Sequence, residues 1–194
     1  VAEVVSSVER DRVFYDQSGG GVTFSGGEPL AQPRFLRECL FECRARGIHT
    51  VLDTSGFADR AVLLEAARLA DLVLYDLKDM NPSRHARTVG VPLEPILENL
   101  RALADAKTPV WVRIPVLPGI NDDDDTIQNY LSYLSGLGTA YPVSLLPYHR
   151  IGVEKYKRLG APYRLPDVSP PSPEALARVA RVFERAGFET SVGG

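Results

Sequence analysis

The chain has 194 residues, 44% of them hydrophobic and 24% charged, a globular composition long enough to bury one core without disulfide or metal staples. Its 22 Lys+Arg against 25 Asp+Glu leave a net charge of −3, which argues against a nucleic-acid binder, and no apolar run approaches the roughly 18 residues of a membrane span. Two cysteines exclude a disulfide framework and point to a reducing compartment, so a cytoplasmic protein is expected.

The opening segment, Val1–Asp11, reads as a helix with no strand before it. Because the chain also begins at Val1 and not at Met, residues 1–194 are expected to be a single domain lacking an upstream strand. Strand patterns follow at Gly21–Ser25, His49–Asp53, Leu72–Asp76, Val110–Pro115 and Val143–Leu146. Helical periodicity fills the intervals at Pro33–Arg46, Arg60–Ala70, Leu93–Ala106 and Thr126–Ser135. The clearest helix comes last. Ser172 can cap it, Pro173 opens it, Leu176, Val179, Ala180 and Phe183 form its apolar stripe, and Gly187 ends it. Ile151–Pro171 is the one long irregular stretch and reads as a covering loop.

Alternating strands and helices imply parallel strands joined by right-handed crossovers. An eight-unit barrel needs about 250 residues, so this length allows an open sheet or an incomplete barrel. Every strand pattern delivers polar or Gly/Pro-rich residues at its carboxyl end. A barrel gathers all such ends on one mouth, whereas an open sheet concentrates ligand groups at its switch point. The fold class expected is therefore α/β, a partial (β/α) barrel with parallel strands and the first strand missing. Gly27, Asp53, Asp76, Lys78 and His149 would then meet in one cleft.

Several motifs have two readings. Ser25-Gly26-Gly27-Glu28-Pro29 is either a plain strand-to-helix turn or a backbone cradle, with Glu28 able to meet an ammonium or a neighbouring Arg. Asp53 and Asp76 close adjacent strands and could share a cation, or form a rim ion pair with Lys78. His149, after a Pro-Tyr step, reads as a ligand contact; His49 opens a strand at the opposite end, and His85 falls on a surface helix. Cys39 and Cys43 lie on the apolar stripe Leu36, Cys39, Leu40, Cys43, so core packing is preferred to metal binding. Asp122–Asp125 lacks calcium-loop spacing and suits a helix N-terminus.

Five blocks, SGGGVTFSGGEPLAQ, GIHTVLDTSGF, ADLVLYDLKDM, WVRIPVLPGINDDDD and LLPYHRIGVEKY, resemble the glycyl-radical-enzyme activating enzymes of the radical S-adenosylmethionine superfamily. The likeness runs nearly end to end, and the EKYKRLG stretch and the ending look more like activators of glycerol- or choline-cleaving enzymes. The resemblance implies a partial six-stranded barrel that holds S-adenosylmethionine. Gly26, Gly27 and Glu28 match the motif that receives the methionine ammonium through backbone groups. Asp76, Leu77 and Lys78 match the segment contacting the methionine moiety, with Lys78 placed for its carboxylate. Asp53, Thr54 and Asp76 match residues that bind a monovalent cation in some members, and His149 matches a nucleoside contact.

The family's activity uses a four-iron four-sulfur cluster held by a CxxxCxxC loop, an electron donor such as flavodoxin or ferredoxin, and a glycyl radical enzyme as protein substrate. That loop is absent from the sequence, so the chain alone is expected to be inactive. Two other readings stand beside this one. A non-radical barrel lyase or aldolase would use Lys78 as Schiff-base nucleophile, detectable by borohydride trapping with a carbonyl substrate. A binding-only fragment would show neither chemistry.

Overall fold

The computed structural model describes residues 1–149 and 168–193. The covering loop expected at Ile151–Pro171 lies outside the described residues except for 168–171. The chain divides into two compact units, Val1–Asp76 with Pro95–Trp111, and Leu77–Glu94 with the residues from Val112 on.

The first unit opens with α1 (Ala2–Arg10) and α2 (Arg12–Ser18), the latter closed by Gly19 in the left-handed region at φ 68°. Strands β1 (Gly21–Phe24), β2 (His49–Thr54) and β3 (Leu72–Asp76) pair in parallel in sequence order. Helices α3 (Pro33–Ala45) and α4 (Arg60–Leu69) make the crossovers, and α6 (Glu94–Asp105) follows β3 in this unit. Each helix has a sequence reason to start or to dock. Pro33 stands in the first turn of α3, and Asp59 Oδ1 accepts from the Ala61 and Val62 amides to cap α4. The expected stripe of α3, Leu36, Cys39, Leu40 and Cys43, is buried, with Val5, Val8, Cys43 and Ile48 forming one core cluster.

Register decides which side chains share a face. Val51 pairs with Leu72 and Asp53 with Leu74, so β2 and β3 keep a common alternation. Thr50, Leu52, Thr54, Val73 and Tyr75 are buried, whereas Val51, Asp53, Leu74 and Asp76 are half-buried on the other face. Both rim aspartates therefore lie on one sheet face, as strand alternation predicts.

In the second unit, β4 (Val110–Val116, its first two residues in the first unit), β5 (Val143–Pro147) and β6 (Thr190–Val192) are again parallel and in order. Helices α5 (Pro82–Thr88), α7 (Asp124–Ser135) and α8 (Pro173–Arg185) belong here. Ser172 Oγ accepts from the Ala175 amide, and Leu176, Val179, Ala180 and Phe183 are buried, so the last helix follows its sequence pattern. Two features depart from the sequence reading. Strand β6 has three residues, too few to show alternation. His85 is 1% exposed, its Nδ1 2.8 Å from the Val91 carbonyl oxygen, because the chain after α5 folds back over it. No helix among the described residues is long and apolar enough to cross a membrane.

The acidic run Asp122–Asp125 caps α7. Asp123 Oδ1 accepts from the Thr126 amide at 2.8 Å and Asp123 Oδ2 from the Thr126 hydroxyl at 2.7 Å, while Asp124 and Asp125 occupy the first turn. These hydrogen bonds hold the Asp123 carboxyl below its ordinary value. A depressed carboxyl contributes stability above its unfolded pKa and loses it as pH falls through the lower folded value. Asp123→Ala is expected to cost about 1 kcal/mol at pH 7 in urea denaturation. The gap from the parent should close as pH drops well below 3.8.

Candidate functional site

At the end of β1 the chain turns through Gly26 (φ 91°) and Gly27 (φ 58°), both exposed. No atom lies within 4 Å of a Cβ built on either residue, so glycine is needed here for backbone conformation and not for space. Glu28 then turns its carboxylate back across the rim. Its Oε1 accepts from Thr54 Oγ1 at 2.7 Å and from the Leu30 amide at 3.3 Å. Oε2 accepts from the Ser55 hydroxyl at 2.6 Å and the Ser55 amide at 3.0 Å. Four neutral donors thus take the carboxylate that the sequence reading offered to an ammonium or an Arg.

The residues after β2 are fixed by the same network. Thr54 lies on the buried face of β2, opposite Asp53, and its hydroxyl also accepts from the Gly56 amide at 3.0 Å. Gly56 has φ +73°, and a Cβ there would stand 1.8 Å from the Tyr75 hydroxyl oxygen. Tyr75 donates to the Ile96 carbonyl at 2.7 Å. Buried Asn99 donates to the Gly56 and Ala58 carbonyls at 2.8 and 2.9 Å. The first unit therefore brings Gly26, Gly27, Glu28, Asp53, Thr54 and Asp76 to the carboxyl ends of its three strands.

In the second unit Leu77 is fully buried, and its amide donates to the Arg113 carbonyl at 2.9 Å. Lys78 is half-buried and lines a cavity of about 350 Å³ with Val89, Pro115, Leu117, Ile120 and Tyr148. Asp79, 3% exposed, is held by Arg84 through Nε at 2.5 Å and Nη2 at 2.8 Å. Arg84 also donates to Thr126 Oγ1 at 3.0 Å, and the paired Asp79 raises its pKa. His149 is exposed and follows Tyr148, but does not line the cavity. Sequence reasoning passed over Asn99, Asp79, Arg84 and Asn121, which act through tertiary hydrogen bonds that no short spacing announces.

The donor set does not suit an iron–sulfur cluster. The chain has two cysteines, Cys39 and Cys43, both buried on α3, and burial pushes both thiols up, away from the thiolate a metal needs. No group of three or more His, Cys, Asp or Glu side chains gathers as a metal site among the described residues. Trp111, on the half-buried face of β4, has a buried indole Nε1 without an acceptor among the described residues.

A profile of the Radical SAM superfamily matches residues 1–131, and the chain belongs to that superfamily. Within it, the chain is similar to activating enzymes. The chain is 38% identical over its full length to "Trans-4-hydroxy-L-proline dehydratase activating enzyme" of Clostridioides difficile, spanning 65% of that protein. It is 40% identical over 97% of its length to "Pyruvate formate-lyase 1-activating enzyme" of Escherichia coli, spanning 78% of it. The crystal structure of a domain of pyruvate-formate lyase-activating enzyme from Bacteroides vulgatus superposes with TM-score 0.78 at 34% identity, covering 90% of this chain and 99% of that one. The fold class is accordingly the α/β, parallel-strand, partial-barrel type that the strand ends and the resemblance imply. The superfamily's cofactors are S-adenosylmethionine and a four-iron four-sulfur cluster, and this chain does not supply three cysteines for the latter.

Glu28→Gln puts an NH2 group against donors that now meet an oxygen. Each buried donor left unsatisfied costs about 1–3 kcal/mol. The variant should unfold at lower urea by that margin, with faster hydrogen exchange at the Ser55 amide.

Proposed function

We propose that the chain is a radical SAM domain of a glycyl-radical-enzyme activating enzyme, working in the cytoplasm on a glycyl radical enzyme as protein substrate. The observation that carries this reading is the coincidence of 40% identity to a pyruvate formate-lyase activating enzyme with a rim built at the matching motifs. S-adenosylmethionine, if bound and given one electron, would release methionine and supply a 5′-deoxyadenosyl radical able to take a hydrogen atom from a glycine of the partner.

The chain's own residues do the holding. In the first unit, Gly26 and Gly27 present backbone groups for the ligand's ammonium, with Glu28 fixing their loop. Asp53 and Asp76, on one sheet face, are the candidates for a monovalent cation, which Thr54 can join only through its backbone because Glu28 and Gly56 engage its hydroxyl. In the second, Leu77 and Lys78 meet the methionine moiety, Lys78 through its carboxylate, and His149 is assigned to the nucleoside. The cluster's cysteines and the electrons, from a donor such as flavodoxin or ferredoxin, must come from outside residues 1–194, so this chain alone binds without turning over.

Two measurements test the reading. Isothermal titration should detect weak S-adenosylmethionine binding, reduced about tenfold in Lys78→Ala, as expected for a lost charge-assisted bond. Anaerobic reconstitution with iron, sulfide and reductant should give no stoichiometric cluster by absorption or low-temperature EPR. A cluster signal at full occupancy, or 5′-deoxyadenosine released by the chain alone, would overturn the assignment.

A further inference from the structure

Asn121 is 4% exposed, yet its whole side-chain amide is engaged with backbone. Oδ1 accepts from the Leu117 amide at 2.8 Å, while Nδ2 donates to the Pro115 carbonyl at 2.7 Å and to the Lys78 carbonyl at 3.1 Å. The buried Tyr130 hydroxyl lies 3.5 Å from the same nitrogen. This network fixes the orientation of the amide: rotated by 180°, it would set NH2 against an N–H and oxygen against two carbonyls.

Those three backbone groups belong to residues that line one cavity. Lys78, Pro115, Leu117 and Ile120 all line the 350 Å³ space, whereas Asn121 itself is not in the lining. Other contacts hold Lys78 from its own side, through the Leu77 amide on the Arg113 carbonyl and the Asp79–Arg84 pair. Asn121 differs from them in touching Lys78 and the Pro115–Leu117 segment at once. Only a carboxamide carries an acceptor for one amide and two donors for two carbonyls on a side chain of this length.

We propose that Asn121 is a positioning residue whose carboxamide sets the spacing between the Lys78 segment and the Pro115–Leu117 segment, and with it the place where the Lys78 ammonium meets a ligand carboxylate. The link to S-adenosylmethionine rests on the function proposed above; the clamp does not.

Asn121→Asp separates positioning from bulk stability. It keeps the acceptor for Leu117 but sets a carboxylate oxygen against two carbonyls, and it regains one donor on protonation. Burial and the nearby Asp79, Asp122 and Asp123 raise the introduced carboxyl's pKa, while Lys78 and Arg84 oppose them and Tyr130 stays neutral. S-adenosylmethionine affinity of the chain, by titration calorimetry, should fall about tenfold at pH 8 and recover to within about threefold of the parent at pH 5. Asn121→Leu should lose affinity at both pH values. By NMR, the Leu117 amide should be protected from exchange in the parent and in Asn121→Asp, and exchange faster in Asn121→Leu.

Parent-like affinity of Asn121→Asp at pH 8, or a Leu117 amide unprotected in the parent, overturns the proposal. If Asn121→Asp does not fold, the parent decides: slowly exchanging Asn121 side-chain NH2 protons support the clamp, and exchange at the solvent rate refutes it. A folded parent that binds no S-adenosylmethionine overturns the functional reading instead, and the exchange data still judge the clamp.

Discussion

Glu28 keeps a half-buried charge beside the rim of the first unit by collecting neutral donors. Withdrawing a carboxylate from water costs several kcal/mol unless hydrogen bonds replace its hydration, and two hydroxyls and two amides do so here. Two of the donor residues, Thr54 and Ser55, sit where β2 ends. Glu28 itself follows directly on the left-handed glycines. One side chain therefore couples the glycine loop to the strand end that carries Asp53, and a shift of either would strand a charge.

The second unit meets the same problem with different chemistry. Strand ladders stop at the rim, leaving carbonyls and amides that must find partners elsewhere. Asn121 serves three such groups, as Asn99 serves two in the first unit. Asp79 and Arg84 form a charged pair that reaches the cap of α7 through Thr126. The rims are thus built by polar side chains pointing into the protein, while Gly26, Gly27, Asp53, Asp76, Lys78 and His149 stand half-buried or exposed, and Leu77 and Thr54, also assigned to ligand chemistry, are buried.

Elements with a local cause were legible in the sequence. The stripe of α3, the Ser172 cap of α8 and the acidic opening of α7 each depend on residues within a few positions of one another, and each is found as read. The common face of Asp53 and Asp76 follows from strand alternation once parallel pairing is granted. What escaped has a distant cause. His85 is buried by the turn that follows its helix, β6 is defined by pairing with β5 and not by its own pattern, and Glu28 found its partners 26 and 27 residues away. Asn121 belongs to the polar stretch at the carboxyl end of the fourth strand pattern, but nothing local announces its bond to the Lys78 carbonyl, 43 residues distant.

Trp111 is the chain's single tryptophan, and its indole nitrogen is shielded but unpaired among the described residues on the half-buried face of β4. An indole N–H in that condition has a fluorescence that responds to any acceptor or water brought against it. The protein therefore carries a single intrinsic optical probe near the start of β4, and a change in the surroundings of that strand can be followed by emission without an attached label.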